Sequence, residues 1–101
     1  MKGLVCMRKK EKGWQDLLAK MFRITDSRTA AEFFDLFLTY AEREDLPKRV
    51  RIVEELLKGE LTQREISRTL KVSIANVTRG ANAIKASRFD VNKLIDKMHR
   101  K

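Results

Sequence analysis

The chain has a single cysteine, Cys6, so no disulfide can close within it. Cys6 also lies outside every convincing apolar pattern and reads as a reduced, incidental thiol. The one histidine, His99, sits in a basic tail with no Cys, Asp or Glu cluster to complete a metal site. No run approaches the ~18 consecutive apolar residues of a membrane span. The N-terminal GLVCM is too short for a signal-peptide core, so a cytoplasmic protein is expected. With four glycines and one proline there is no glycine loop to cradle phosphate and no Pro/Gly/Ser linker. Paired catalytic carboxylates and nucleophile–base constellations are missing too, which argues against an enzyme.

What is present is positive charge in particular places. The net charge is +9 over 101 residues, the length of one domain. Between residues 62 and 88, Arg64, Arg68, Lys71, Arg79, Lys85 and Arg88 are opposed only by Glu65. Both ends, 1–13 and 92–101, are also basic, whereas 14–61 is slightly acidic. A basic surface that coincides with a motif points to a polyanion partner.

The motif is LTQREISRTLKVSIANVTRGANAIK, Leu61 to Lys85. Thr62 and Glu65 are spaced as a capping box, and Leu61 and Ile66 as a hydrophobic staple. Ser73 is a second cap, with Val72 and Val77 placed for a second staple. The spacing predicts a helix over 63–70, a tight turn and a second helix, which is a helix-turn-helix. Ile66, Leu70, Val77 and Ile84 supply its apolar contacts. Gln63, Arg64, Ser67, Arg68, Ala75, Asn76, Thr78 and Arg79 stay outside, a polar face suited to the DNA major groove.

The other patterns are also helical. Trp14, Leu17, Leu18, Met21 and Phe22 form one stripe. Arg28 to Tyr40 is apolar nearly all round and should be buried on most sides. Leu46, Val50, Val53 and Leu57 mark a third helix, with Gly59 as its stop. Val91, Leu94, Ile95 and Met98 outline a sixth. The fold class is all-α, six helices in one domain over 1–101. Its parts are a basic arm over 1–13 that need not be ordered, core helices over 14–61, the helix-turn-helix over 62–86 and a C-terminal helix over 89–99. So much amphipathic surface exceeds the thin core of a 100-residue chain, which predicts an interleaved homodimer.

The run RVRIVEELLKGELTQREI, Arg49 to Ile66, then Ile74-Ala75, Thr78-Arg79-Gly80, Asn82 and Lys85, resembles the tryptophan (Trp) repressor family over about Leu36 to Ala86. That family is itself a standard example of helix-turn-helix docking and of water-mediated base contacts, so those features come with the resemblance. The resemblance implies an intertwined homodimer that binds L-tryptophan as corepressor. Such a dimer reads operator double-stranded DNA and represses tryptophan biosynthesis or transport genes. No other cofactor is implied.

The resemblance also assigns a ligand site. Arg49 would lie flat on the indole, and Arg79 would cover its other face and reach the carboxylate. Thr39 would offer its hydroxyl to the carboxylate, and Gly80 would let the ring approach the backbone. The backbone carbonyls of Leu36 and Leu38 would face the ammonium from the other subunit. Ala83 stands where the family has a serine that contacts the ammonium. For DNA, Gln63, Arg64 and Ser67 would meet the backbone and groove edge. Ser73, Ile74, Ala75, Asn76, Thr78 and Arg79 lie on or near the recognition helix. Asn76 has amide geometry suited to adenine, while Lys85 and Arg88 read as phosphate contacts.

Two further departures from the family are local. Pro47 replaces a glycine and should kink the third helix or make it begin near Asp45. Lys71 replaces a frequent glycine in the turn, a strained choice if the turn needs positive φ. One alternative keeps the dimer and DNA binding but changes the ligand or needs none. Another is a small basic RNA- or protein-binding module, marked by salt-sensitive, sequence-independent binding.

Overall fold

A computed structural model describes residues 9–99, which form six α-helices and no strands. Cys6 and most of the basic arm lie outside the described residues. The chain divides after Thr39 into two compact units.

The first unit holds α1 (Lys9–Phe22) and α2 (Ser27–Phe37). The first helix begins within the stretch that the sequence assigns to an arm, so residues 9–13 are helical. Asp26 caps α2: its Oδ2 accepts from the backbone N–H and the hydroxyl of Thr29, both at 2.9 Å. Those bonds hold the Asp26 carboxyl below its ordinary pKa. Phe33 packs edge-on to Phe34 and against Phe37. A groove of about 350 Å³ runs between Gly13, Asp16, Leu17 and Lys20 of α1 and Phe33 and Phe37 of α2. The expectation that α2 is buried on most sides is not met within one chain, where it has no buried residue. Leu36 is 74% exposed and Phe22, at the end of α1, 89%.

The second unit holds α3 (Tyr40–Lys58), α4 (Gln63–Leu70), α5 (Ile74–Ala86) and α6 (Val91–His99). Its core is one side chain from each of three helices: Ile52, Ile66 and Val77. Leu56, Leu61, Leu70 and Val72 pack around these three, so both staple pairs join the same cluster. The expected late start of the third helix near Asp45 is corrected: α3 begins at Tyr40 and continues through Pro47. The preceding Ala41, Glu42, Arg43 and Glu44 carry the helix up to the proline. Pro47 removes one donor, a cost of about 3 kcal/mol against alanine, without ending the helix. Gly59 then stops α3 with φ +69°.

The start of α4 is a full capping box. Glu65 N–H donates to Thr62 Oγ1 at 3.1 Å, and Thr62 N–H donates to Glu65 Oε1 at 2.8 Å. Its end is tied at Ser67, whose carbonyl accepts from the backbone N–H of Lys71 and of Val72. Ser67 Oγ donates to the Val72 carbonyl at 2.6 Å. This turn forces Lys71 into the left-handed region, φ 58° and ψ 46°. Ser73 caps α5 by accepting from Asn76 N–H at 3.1 Å. Asp90 starts α6 by accepting from Lys93 N–H, and His99 Nε2 lies 2.9 Å from Glu54 Oε2 of α3. None of the helices among the described residues is long and apolar enough to cross a membrane.

Left-handed backbone costs a non-glycine residue about 1–2 kcal/mol, partly offset by glycine's larger unfolded entropy. Lys71→Gly should therefore raise unfolding free energy by about 1 kcal/mol in urea titration. A loss of stability would mean that the Lys71 side chain contributes more than its backbone costs.

Candidate ligand cleft and nucleic-acid interface

Where α5 crosses α3, an open cleft of about 290 Å³ is left, at the small end of ligand sites. Helix α3 lines it with Arg49, Ile52 and Val53, and α5 with Asn76, Arg79, Gly80 and Ala83. In each helix these residues recur at three- and four-residue intervals and so share one face. Ile52 and Val53 make an apolar floor, two arginines from different helices supply positive charge, and no acidic residue lines it. The arrangement fits a flat apolar body that carries a negative group. A guanidinium stacks on an aromatic face and pairs with a carboxylate in a bidentate fork.

Gly80 sets how closely the two helices approach. A Cβ on Gly80 would lie 2.8 Å from Ile52 Cγ2 and 3.5 Å from Leu56 Cδ1. Ile52 is buried in the core and cannot easily yield. The glycine is thus required by helix packing before any ligand is considered, a role the sequence alone does not reveal.

Four of the seven residues expected for the ligand, Arg49, Arg79, Gly80 and Ala83, come together in this cleft. Leu36, Leu38 and Thr39 belong to the first unit. Three lining residues were not expected there: Ile52, Val53 and Asn76. Their signal was in the sequence, because Asn76 precedes Arg79 and Gly80 by three and four residues. Arg79 Nη1 donates to Asn76 Oδ1 at 3.0 Å.

Of the residues expected to meet DNA, Gln63, Arg64, Ser73, Ile74, Ala75, Asn76, Thr78, Arg79 and Lys85 are exposed. Ser67 is half-buried, and its hydroxyl proton is committed to the Val72 carbonyl. Thr78 Oγ1 donates to Gln63 Oε1 at 3.1 Å, which links α5 to the start of α4 and does not use the Gln63 amide N–H groups. Bonds from the Thr62 backbone and side chain keep Glu65 below the ordinary glutamate pKa, so it stays ionised at neutral pH. It spends that charge at the helix N-terminus, where it suits the dipole.

The family described as Trp repressor protein matches residues 12–99. A Trp operon repressor homolog of Chlamydia trachomatis serovar L2 is 46% identical over 77 residues, 76% of this chain and 82% of the relative. One from Chlamydia caviae is 43% identical over 91 residues, 90% of each chain. One from Vibrio campbellii is 43% identical over 82 residues, 81% of each.

Overpacking at the helix crossing should be measurable. Gly80→Ala should cost about 1–3 kcal/mol of stability. In a double-mutant cycle, Ile52→Ala should relieve part of that cost because it removes the clashing methyl. Strict additivity would show that the helices part without resistance there.

Proposed function

The chain belongs to the Trp repressor family, and we propose that it is a homodimeric, sequence-specific DNA-binding repressor gated by L-tryptophan. Its targets would be genes of tryptophan biosynthesis or transport. The observation that carries this reading is the position of the cleft. Arg79, Gly80 and Ala83 line it from the helix that also presents Ile74, Ala75, Asn76 and Thr78 outward. A ligand seated there touches the reading helix directly. It favours DNA binding to the extent that it binds the DNA-competent arrangement more tightly than any other.

In this reading the indole lies on Ile52 and Val53 between the two guanidinium groups, and Arg79 takes the carboxylate. Thr39 offers its hydroxyl to the carboxylate, and the Leu36 and Leu38 carbonyls face the ammonium from the second subunit. Gln63, Arg64, Lys85 and Arg88 hold phosphates, while Ser73, Ile74, Ala75, Asn76, Thr78 and Arg79 enter the groove, partly through water.

Dimerisation rests on exposed apolar surface. Trp14, Phe22, Leu36, Phe37 and Tyr40 are each more than half exposed in the single chain. Lone exposed apolar residues are ordinary, but a set of large ones on consecutive helices marks an interface. Light scattering at low micromolar concentration should give twice 11.8 kDa; a folded monomer would contradict the proposal.

Ala83 favours a second reading, a changed ligand preference. It removes a side-chain acceptor for the ammonium, and a hydrogen bond to a charged group is worth roughly 1.5–3 kcal/mol, or tenfold to a hundredfold in affinity. Tryptophan should still raise operator affinity in a fluorescence-anisotropy titration, with weakened discrimination against indole acids that lack the amine. Ala83→Ser should tighten tryptophan and leave the amine-free acids almost unchanged. Equal operator affinity with and without tryptophan would transfer the conclusion to ligand-independent binding. Salt-sensitive binding without sequence preference would transfer it to a general nucleic-acid module.

A further inference from the structure

Asn76 stands at two places at once. It is the third residue of α5, exposed in the first turn, and it also lines the ligand cleft. Its backbone is pinned by the Ser73 cap. Its Oδ1 accepts from Arg79 Nη1 at 3.0 Å. Guanidinium has only donors, so this bond fixes the amide with its oxygen toward Arg79 and its Nδ2 donor end away. No acidic residue lines the cleft to orient Arg79 instead.

We propose that Asn76 is a positioning residue of the ligand cleft, which holds the Arg79 guanidinium ready to receive a ligand carboxylate. The inference rests on the corepressor reading above and adds to it the group that makes the arginine competent. Arginine loses much rotamer entropy when it is immobilised on a ligand. A neutral partner that already holds one N–H removes part of that cost. It leaves the remaining donors of the fork for two carboxylate oxygens. A carboxylate at position 76 would not serve, because it would compete for the same fork. The Asn76 Nδ2 donors take no part in that bond and suit an acceptor such as purine N7 or phosphate oxygen. Ligand and DNA would therefore act on opposite ends of one amide.

The test is calorimetry without DNA, using L-tryptophan and tryptamine, which keeps the indole and the ammonium but lacks the carboxylate. Asn76→Ala should weaken tryptophan roughly three- to tenfold, the range of one hydrogen bond, and leave tryptamine within about twofold. Asn76→Asp should weaken tryptophan at least as much and should not weaken tryptamine. In an Arg79→Ala background, Asn76→Ala should have no further effect on tryptophan. Circular dichroism melting of each variant confirms that the exposed substitution leaves the fold intact. Equal losses for both ligands would make Asn76 a simple wall of the cleft and overturn the inference, as would no loss for either. A wild-type protein that does not bind tryptophan would overturn the corepressor reading and this inference together. Normal binding by wild type and Asn76→Ala alike would overturn this inference alone.

Discussion

The contact between Gly80 of α5 and Ile52 of α3 is the constraint on which the second unit depends. A single added methyl at position 80 would meet a buried side chain at 2.8 Å. Ile52 is one of only three buried hydrophobic residues among those described, with Ile66 and Val77. The close approach therefore does two jobs. It lets α3, α4 and α5 meet around a very small core, and it places Arg49 and Arg79 on facing walls of one cleft. Small cores have little redundancy, so the geometry of the cleft and the stability of the unit are linked.

Local hydrogen bonds then convert that packing into a rigid pair of helices. The Thr62–Glu65 box starts α4, the three bonds at Ser67 close the turn, and Ser73 starts α5. Thr78 and Gln63 clasp the two helices from the outer side. Arg79, Gly80 and Ala83 share α5 with the exposed Ala75, Asn76 and Thr78, so one helix carries both the cleft wall and an exposed polar face.

Features governed by neighbours along the chain were legible in the sequence. The two caps, both staples and the stop at Gly59 depend on spacings of a few residues, and the structure places them as read. The left-handed Lys71 was legible as a conditional, since only the turn geometry decides whether φ is positive. Features set by contacts between distant residues were less legible. The packing role of Gly80 depends on Ile52, twenty-eight positions earlier. Pro47 does not mark a helix start, because one missing donor does not end a helix whose neighbours favour it. The sequence paired Asn76 with DNA alone, although its spacing from Arg79 put both on the cleft face. The apolar surface of α2 was visible in the sequence, but what covers it cannot come from one chain's periodicity.

Binding of L-tryptophan between α3 and α5 is what the proposed function depends on. Amide chemical-shift mapping of isotopically labelled protein titrated with L-tryptophan tests it most directly. Saturable shifts are expected at Arg49, Ile52 and Val53 and at Asn76, Arg79, Gly80 and Ala83, with continuation toward the start of α5 and the Lys71–Ser73 turn. Shifts confined to α1 and α2, or none at millimolar tryptophan, would contradict it.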